Sequence, residues 1–83
     1  MDNKELSEIV GAELRERGYD GFRMLYLEHP SDVAGVGIEV HDGDVMYRNA
    51  WKTWRNVSTA QIADRVAEWM DKVRAAPEKY RAA

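Results

Sequence analysis

The dipeptide Asp42-Gly43 lies between two alternating segments, Ala34-Gly35-Val36-Gly37-Ile38-Glu39-Val40-His41 and Asp44-Val45-Met46-Tyr47-Arg48-Asn49-Ala50-Trp51, and no other feature restricts the fold as much. Asp-Gly tolerates the positive φ of a two-residue turn, so the pattern predicts a β-hairpin with a type I′ turn. Such a turn sets a register in which His41 opposes Asp44, Val40 opposes Val45, Ile38 opposes Tyr47, Val36 opposes Asn49 and Ala34 opposes Trp51. Val36, Ile38 and Val40 then share a buried face with Tyr47 and Trp51. Gly35, Gly37, Glu39 and His41 face the other way, beside Met46, Arg48, Ala50 and Lys52.

Helical patterns flank the hairpin. Leu6, Ile9, Val10 and Leu14 form one stripe, which predicts a helix over about 4–17, with Asp2 or Asn3 as its cap and Gly18 as its left-handed C′ residue. Gly11 costs this helix about 1 kcal/mol relative to alanine, which points to a close approach by another backbone. Near the other end, Ser58 and Gln61 spell a capping box, Val57 and Ile62 a hydrophobic staple, and Ile62, Val66, Trp69, Met70 and Val73 a helix over about 59–75. Pro77 ends that run and permits a short final turn through Tyr80.

Phe22-Arg23-Met24-Leu25-Tyr26-Leu27-Glu28 reads as a further strand, closed by the turn-forming His29-Pro30-Ser31-Asp32. The expectation is one α+β domain over residues 1–83, in the order α-β-β-β-α. Strands at about 22–28, 34–41 and 44–51 form an antiparallel meander, and both helices pack on its Val36/Ile38/Val40 face. Area scaling gives a folded chain of this mass roughly 5,000 Å² of surface, enough for one core. There is no cysteine to staple it. The polar start Met1-Asp2-Asn3-Lys4-Glu5 and the lack of a long apolar run lead us to expect a cytoplasmic protein with no membrane partner.

Covering one sheet face leaves the other. The segment 22–28 is apolar on both sides: if Phe22, Met24 and Tyr26 point inward, Leu25 and Leu27 point outward with Arg23, and the reverse choice exposes the aromatics. Either arrangement predicts apolar side chains beside Gly35, Gly37 and Ala50, to be shielded by the tail from Pro77 to Ala83, by a second copy or by a partner.

Charge is divided along the chain. Residues 1–47 carry eleven acids and four bases, a net −7, and the remainder carries eight bases and four acids, a net +4. Such asymmetry serves either attraction between the halves or a partner-binding surface. The leading expectation is a small, acidic, non-enzymatic protein-binding module or inhibitor. It would dock through Glu13, Glu16, Arg23, Leu25, Leu27, Glu39, Asp42 and Asp44 on a partner protein with a basic surface. In size and acidity the chain is similar to small phage and mobile-element proteins that block host nucleic-acid machinery, anti-CRISPR proteins among them, although no motif carries the likeness. A homodimer packed through its sheets is a further alternative.

The competing expectation is a nucleic-acid-binding accessory protein. Tyr47-Arg48-Asn49-Ala50-Trp51-Lys52-Thr53-Trp54-Arg55-Asn56 interleaves aromatics with bases, so Arg48, Lys52, Trp54 and Arg55 are its candidate contacts. Against it, the hairpin register turns Tyr47 and Trp51 into the core, and the net charge is −3. The element order resembles that of the double-stranded RNA-binding domain, which grips phosphates with a lysine cluster at the start of its second helix. Here that place reads Ser58-Thr59-Ala60-Gln61, followed by Asp64, so the resemblance is one of element order alone.

His41-Asp42-Gly43-Asp44, with His29 and Glu39 nearby, has metal-ligand types, but the turn already accounts for Asp-Gly, and neighbouring strand residues face opposite ways. No metal and no cofactor is therefore expected. Ser7, Ser31 and Ser58 are the only serines, Ser58 serves as a cap, and no phosphate loop or nucleophile elbow occurs, so no catalytic residue is assigned and no enzymatic activity is expected.

Overall fold

A computed structural model describes residues 2–26, 33–54 and 57–80. The element order is α1 (Asn3–Glu16), β1 (Phe22–Leu25), β2 (Val33–Asp42), β3 (Val45–Trp54), α2 (Thr59–Ala75) and a short α3 (Pro77–Tyr80). The strands form an antiparallel sheet in the order β1-β2-β3, an α+β fold with the expected α-β-β-β-α arrangement.

Local chemistry places the helices. Asp2 caps α1 by accepting from the Glu5 amide at 2.8 Å. At the other end Gly18 takes φ +93, its amide donates to Arg15 O, and the Tyr19 amide donates to Leu14 O. These two bonds are the paired closure of a helix ending on a left-handed glycine. For α2, Ser58 Oγ accepts from the Gln61 amide at 3.2 Å and Gln61 Oε1 accepts from the Ser58 amide at 3.1 Å, completing the capping box.

One core joins the layers. Leu6, Val10 and Leu14 of α1 and Ile62, Val66, Met70 and Val73 of α2 pack with Val36, Ile38, Val40 and Tyr47 on one face of the sheet. Phe22 and Met24 point the same way, which resolves the orientation of β1. A Cβ built on Gly11 would lie 2.9 Å from Met24 Cγ, so the close approach at Gly11 is by a side chain of β1 and not by a backbone.

Two sequence expectations are corrected. β1 ends at Leu25, so Tyr26 lies beyond the sheet and is exposed, with Lys4 Nζ 5.9 Å from its ring centroid. The hairpin turn is Gly43-Asp44, which pairs Asp42 with Val45, Val40 with Tyr47, Ile38 with Asn49 and Val36 with Trp51. Gly43 has φ +61 and Asp44 does not have positive φ, so glycine occupies the first central position of a type II′ turn. The register moves by two residues, an even number, and every side chain therefore keeps its expected face.

The ladder also defines an edge. The His41 amide donates to Gly21 O at 2.8 Å, so odd-numbered amides of β2 face β1 and even-numbered ones face β3. Tyr47, Asn49 and Trp51 accordingly pair with β2. The backbone amides and carbonyls of Met46, Arg48, Ala50 and Lys52 turn to the outer side of β3, where no further strand lies among the described residues. Asn49 Oδ1 accepts from the Ala50 amide at 2.8 Å, so one of these outward donors is capped by a side chain.

Candidate functional site

The helices occupy one side of the sheet, and the site is built on the other. Strand alternation puts Arg23, Glu39 and Arg48 in one row across the three strands, with Leu25, Gly37 and Ala50 in the next row and His41 beside Met46 at the hairpin end. Glu39 sits at the centre and is only 2% exposed. Arg48 Nε donates to Glu39 Oε2 at 2.9 Å, Arg23 Nη2 donates to Oε1 at 3.2 Å, and His41 Nε2 lies 3.0 Å from Oε1. The three basic side chains spread over the carboxylate while their own outer surfaces remain in solvent.

The shielding pushes the Glu39 carboxyl up, but hydrogen bonds and charge from Arg48 and Arg23 outweigh it and hold the group below its ordinary value of 4.5. A group with a depressed folded value stabilises the fold fully above the unfolded value, and that stabilisation is lost as pH falls through the folded one. Denaturation midpoints followed from neutral pH down through the carboxylate range are therefore expected to fall, and Glu39→Gln is expected to flatten that acid limb. An acid limb unchanged in the variant would show that Glu39 does not couple to folding.

The sequence candidates separate in space. Glu13 and Glu16 lie on α1, in the helical layer, and Glu13 pairs with Arg17 at 3.1 Å. Arg17 reaches on to Asp64 of α2 at 2.7 Å. Asp42 and Asp44 stand at the hairpin end, both exposed. Glu39 is clasped by cations. Two of the expected acids, Glu39 and Glu13, are thus already paired with cations, and the described open face carries Arg23, Arg48 and Lys52 against Glu39, a net charge of +2.

Arg23, Leu25, Arg48 and Lys52 do share this face. Leu27, Arg55 and the side chain of Trp54 lie outside the described residues. The large apolar side chains described on the face are Leu25, partly buried, and Met46, 42% exposed, so the described face is less apolar than the sequence suggested. β1 ends at Leu25, so Tyr26 does not join the sheet. The short α3 contacts α2 and so belongs to the helical layer.

Charges of the two halves also meet within the fold: Arg48 with Glu39, Arg17 with Asp64, and the Arg74 guanidinium with the Asp20 carboxylate at 3.9 Å. Part of the charge asymmetry is thereby used internally.

A second feature escaped the sequence reading. Trp51 of β3 and Trp69 of α2 meet edge to face, with centroids 5.6 Å apart and planes at 78°. With Arg65, Glu68 and Lys72 they line a groove of about 350 Å³. The spacing 65, 68, 69, 72 was available as a signal, because it is a helical stripe beside the buried one. Trp69 was instead expected in the core, and the structure leaves it partly exposed.

Among the described residues no three His, Cys, Asp or Glu side chains converge as metal ligands, and no helix is long and apolar enough to cross a membrane. The fold and site define an α+β domain with one helix-covered sheet face and one open, cation-bearing face. The chain matches no known family model, no curated protein and no solved structure.

Proposed function

We propose that this chain is a non-enzymatic binding module that captures a partner protein on the open face of its sheet. The observation that carries the reading is the carboxylate of Glu39, held at 2% exposure under Arg23, Arg48 and His41. Hydrogen bonds to a shared anion restrain the long cationic side chains before any partner arrives, which lowers the ordering cost of binding. Ala50, exposed in the row beside them, presents a small side chain against which another surface can pack closely.

A net charge of +2 on the described face favours an acidic partner surface. The basic partner anticipated from the sequence would have needed Glu13, Glu16, Glu39, Asp42 and Asp44 to act together, and the pairing of Glu39 and Glu13 with cations of this chain favours the opposite complementarity. Action as an inhibitor would follow from masking such a partner.

The test is capture of proteins from a cell lysate on the immobilised chain, with bound proteins identified by mass spectrometry. Retention of an acidic protein is expected, weakened at least about tenfold by Arg23→Gln/Arg48→Gln and kept by Glu13→Ala/Glu16→Ala. Capture insensitive to the arginine pair, salt-sensitive binding of an oligonucleotide without protein capture, or turnover of a substrate would each overturn the reading.

A further inference from the structure

The outer edge of β3 and the tryptophan groove adjoin. Among the described residues the groove is lined by Trp51 of β3 and by the Arg65/Glu68/Trp69/Lys72 stripe of α2, and by none of β1 or β2, so it opens where α2 overhangs the edge of the sheet. The same edge presents the outward amides and carbonyls of Met46, Arg48 and Lys52 along a strand of 10 residues. A strand laid against it would hydrogen-bond those groups and direct alternate side chains to opposite faces. On the open face its side chains would meet Arg48 and Lys52. On the helical face they would meet the two indoles, Arg65 and the Lys72–Glu68 pair, in which Lys72 Nζ lies 3.0 Å from Glu68 Oε1.

We propose that β3 receives an extended, acidic segment of a partner protein by strand addition, with an apolar side chain of that segment packed against the Trp51–Trp69 pair in the groove. This deepens the protein-binding reading and rests on it. Charge complementarity selects the occupant: among the described residues Arg48, Lys52, Arg65 and Lys72 border the edge against Glu68 and the Glu39 that Arg48 holds, an excess of +2. A second copy is disfavoured by the same charges, because antiparallel pairing centred on Ala50 would set Arg48 of one chain opposite Lys52 of the other. Asn49, whose side chain already takes the Ala50 amide, acts as a guard that limits indiscriminate pairing at this edge.

The probe is a terminally blocked peptide of 10 residues, matching β3, that alternates glutamate and valine. Its lysine-valine counterpart and an oligodeoxythymidine serve as comparisons. Binding is read by indole fluorescence, and hydrogen exchange is read at the Met46, Arg48 and Lys52 amides. The acidic peptide is expected to bind at least about tenfold tighter than the basic one and to slow exchange at those three amides. Trp69→Ala and the exposed Arg65→Glu are each expected to weaken it several-fold, and Asn49→Ala to strengthen it.

No binding of the acidic peptide, binding without protection of the three amides, equal affinity for the basic peptide, or displacement by the oligonucleotide would overturn strand addition. So would a dimer in light scattering that is abolished by substitutions along β3. If partner capture still depends on Arg23 and Arg48 while the peptide leaves the β3 amides unprotected, strand addition fails alone and open-face docking stands. If capture ignores Arg23→Gln alone while the amides are protected, open-face docking fails and strand addition stands.

Discussion

Replacing Tyr47 with alanine is expected to lower stability by about 4 kcal/mol, the range for deleting a buried aromatic side chain. Tyr47 is 2% exposed, stands opposite Val40 and belongs to the cluster that both helices cover. Small domains hold roughly 5–15 kcal/mol in all, so the variant is expected to be largely or partly unfolded on mild heating. Urea denaturation reads this as a lower midpoint with an unchanged slope. The result also separates two roles for the segment 47–56: a tyrosine serving as an exposed stacking platform would cost less than about 0.5 kcal/mol on truncation.

The second large effect is expected at Leu14. It is fully buried near the end of α1, where that helix meets α2, and Leu14→Ala is expected to cost about 3 kcal/mol through lost burial and the cavity left behind. For a domain of this size that corresponds to a fall of roughly 12–24 °C in the thermal midpoint. Ile9, on the same helix but 41% exposed, is the internal comparison, and Ile9→Ala is expected to change stability far less. Equal effects at the two positions would contradict the placement of the α1 stripe against the sheet.

These expectations bear on how the site works. The open face can be varied with little cost to the core because the helices bury only the opposite face of the sheet. Arg23 and Arg48 lie mainly in solvent, so their substitution is expected to act on binding more than on folding, whereas Glu39 couples the two. The β3 edge and its groove share β3, with Arg48 and Lys52, with the open face, so Arg23→Gln on β1 and Trp69→Ala on α2 are the substitutions that separate the two docking modes.

The helix boundaries were legible because they depend on neighbours in the chain. Ser58 with Gln61, Asp2 with Glu5, and Gly18 after Arg17 satisfy backbone groups a few residues away, and any fold containing those helices would use them in the same way. The division of β2 and β3 into two faces was legible for a similar reason, since strand alternation depends on the chain's own pleat. A shift of one residue in the turn, Gly43-Asp44 for Asp42-Gly43, moved the register by two residues and left that division intact. Element order, the helix-covered Val36/Ile38/Val40 face and the inward Tyr47 follow from the sequence by itself.

Tertiary structure decided what the exposed charges do. Glu39 reads in the sequence as one more acid of the negative half, yet Arg23 from one neighbouring strand and Arg48 from the other close over it, 16 and 9 residues away along the chain. The pairing of Trp51 with Trp69 likewise depends on how α2 settles across β3. Periodicity reports which side of an element is apolar, because that is a property of one segment. Which charge meets which, and where a groove opens, are set only when separate segments are brought within a few ångströms of one another.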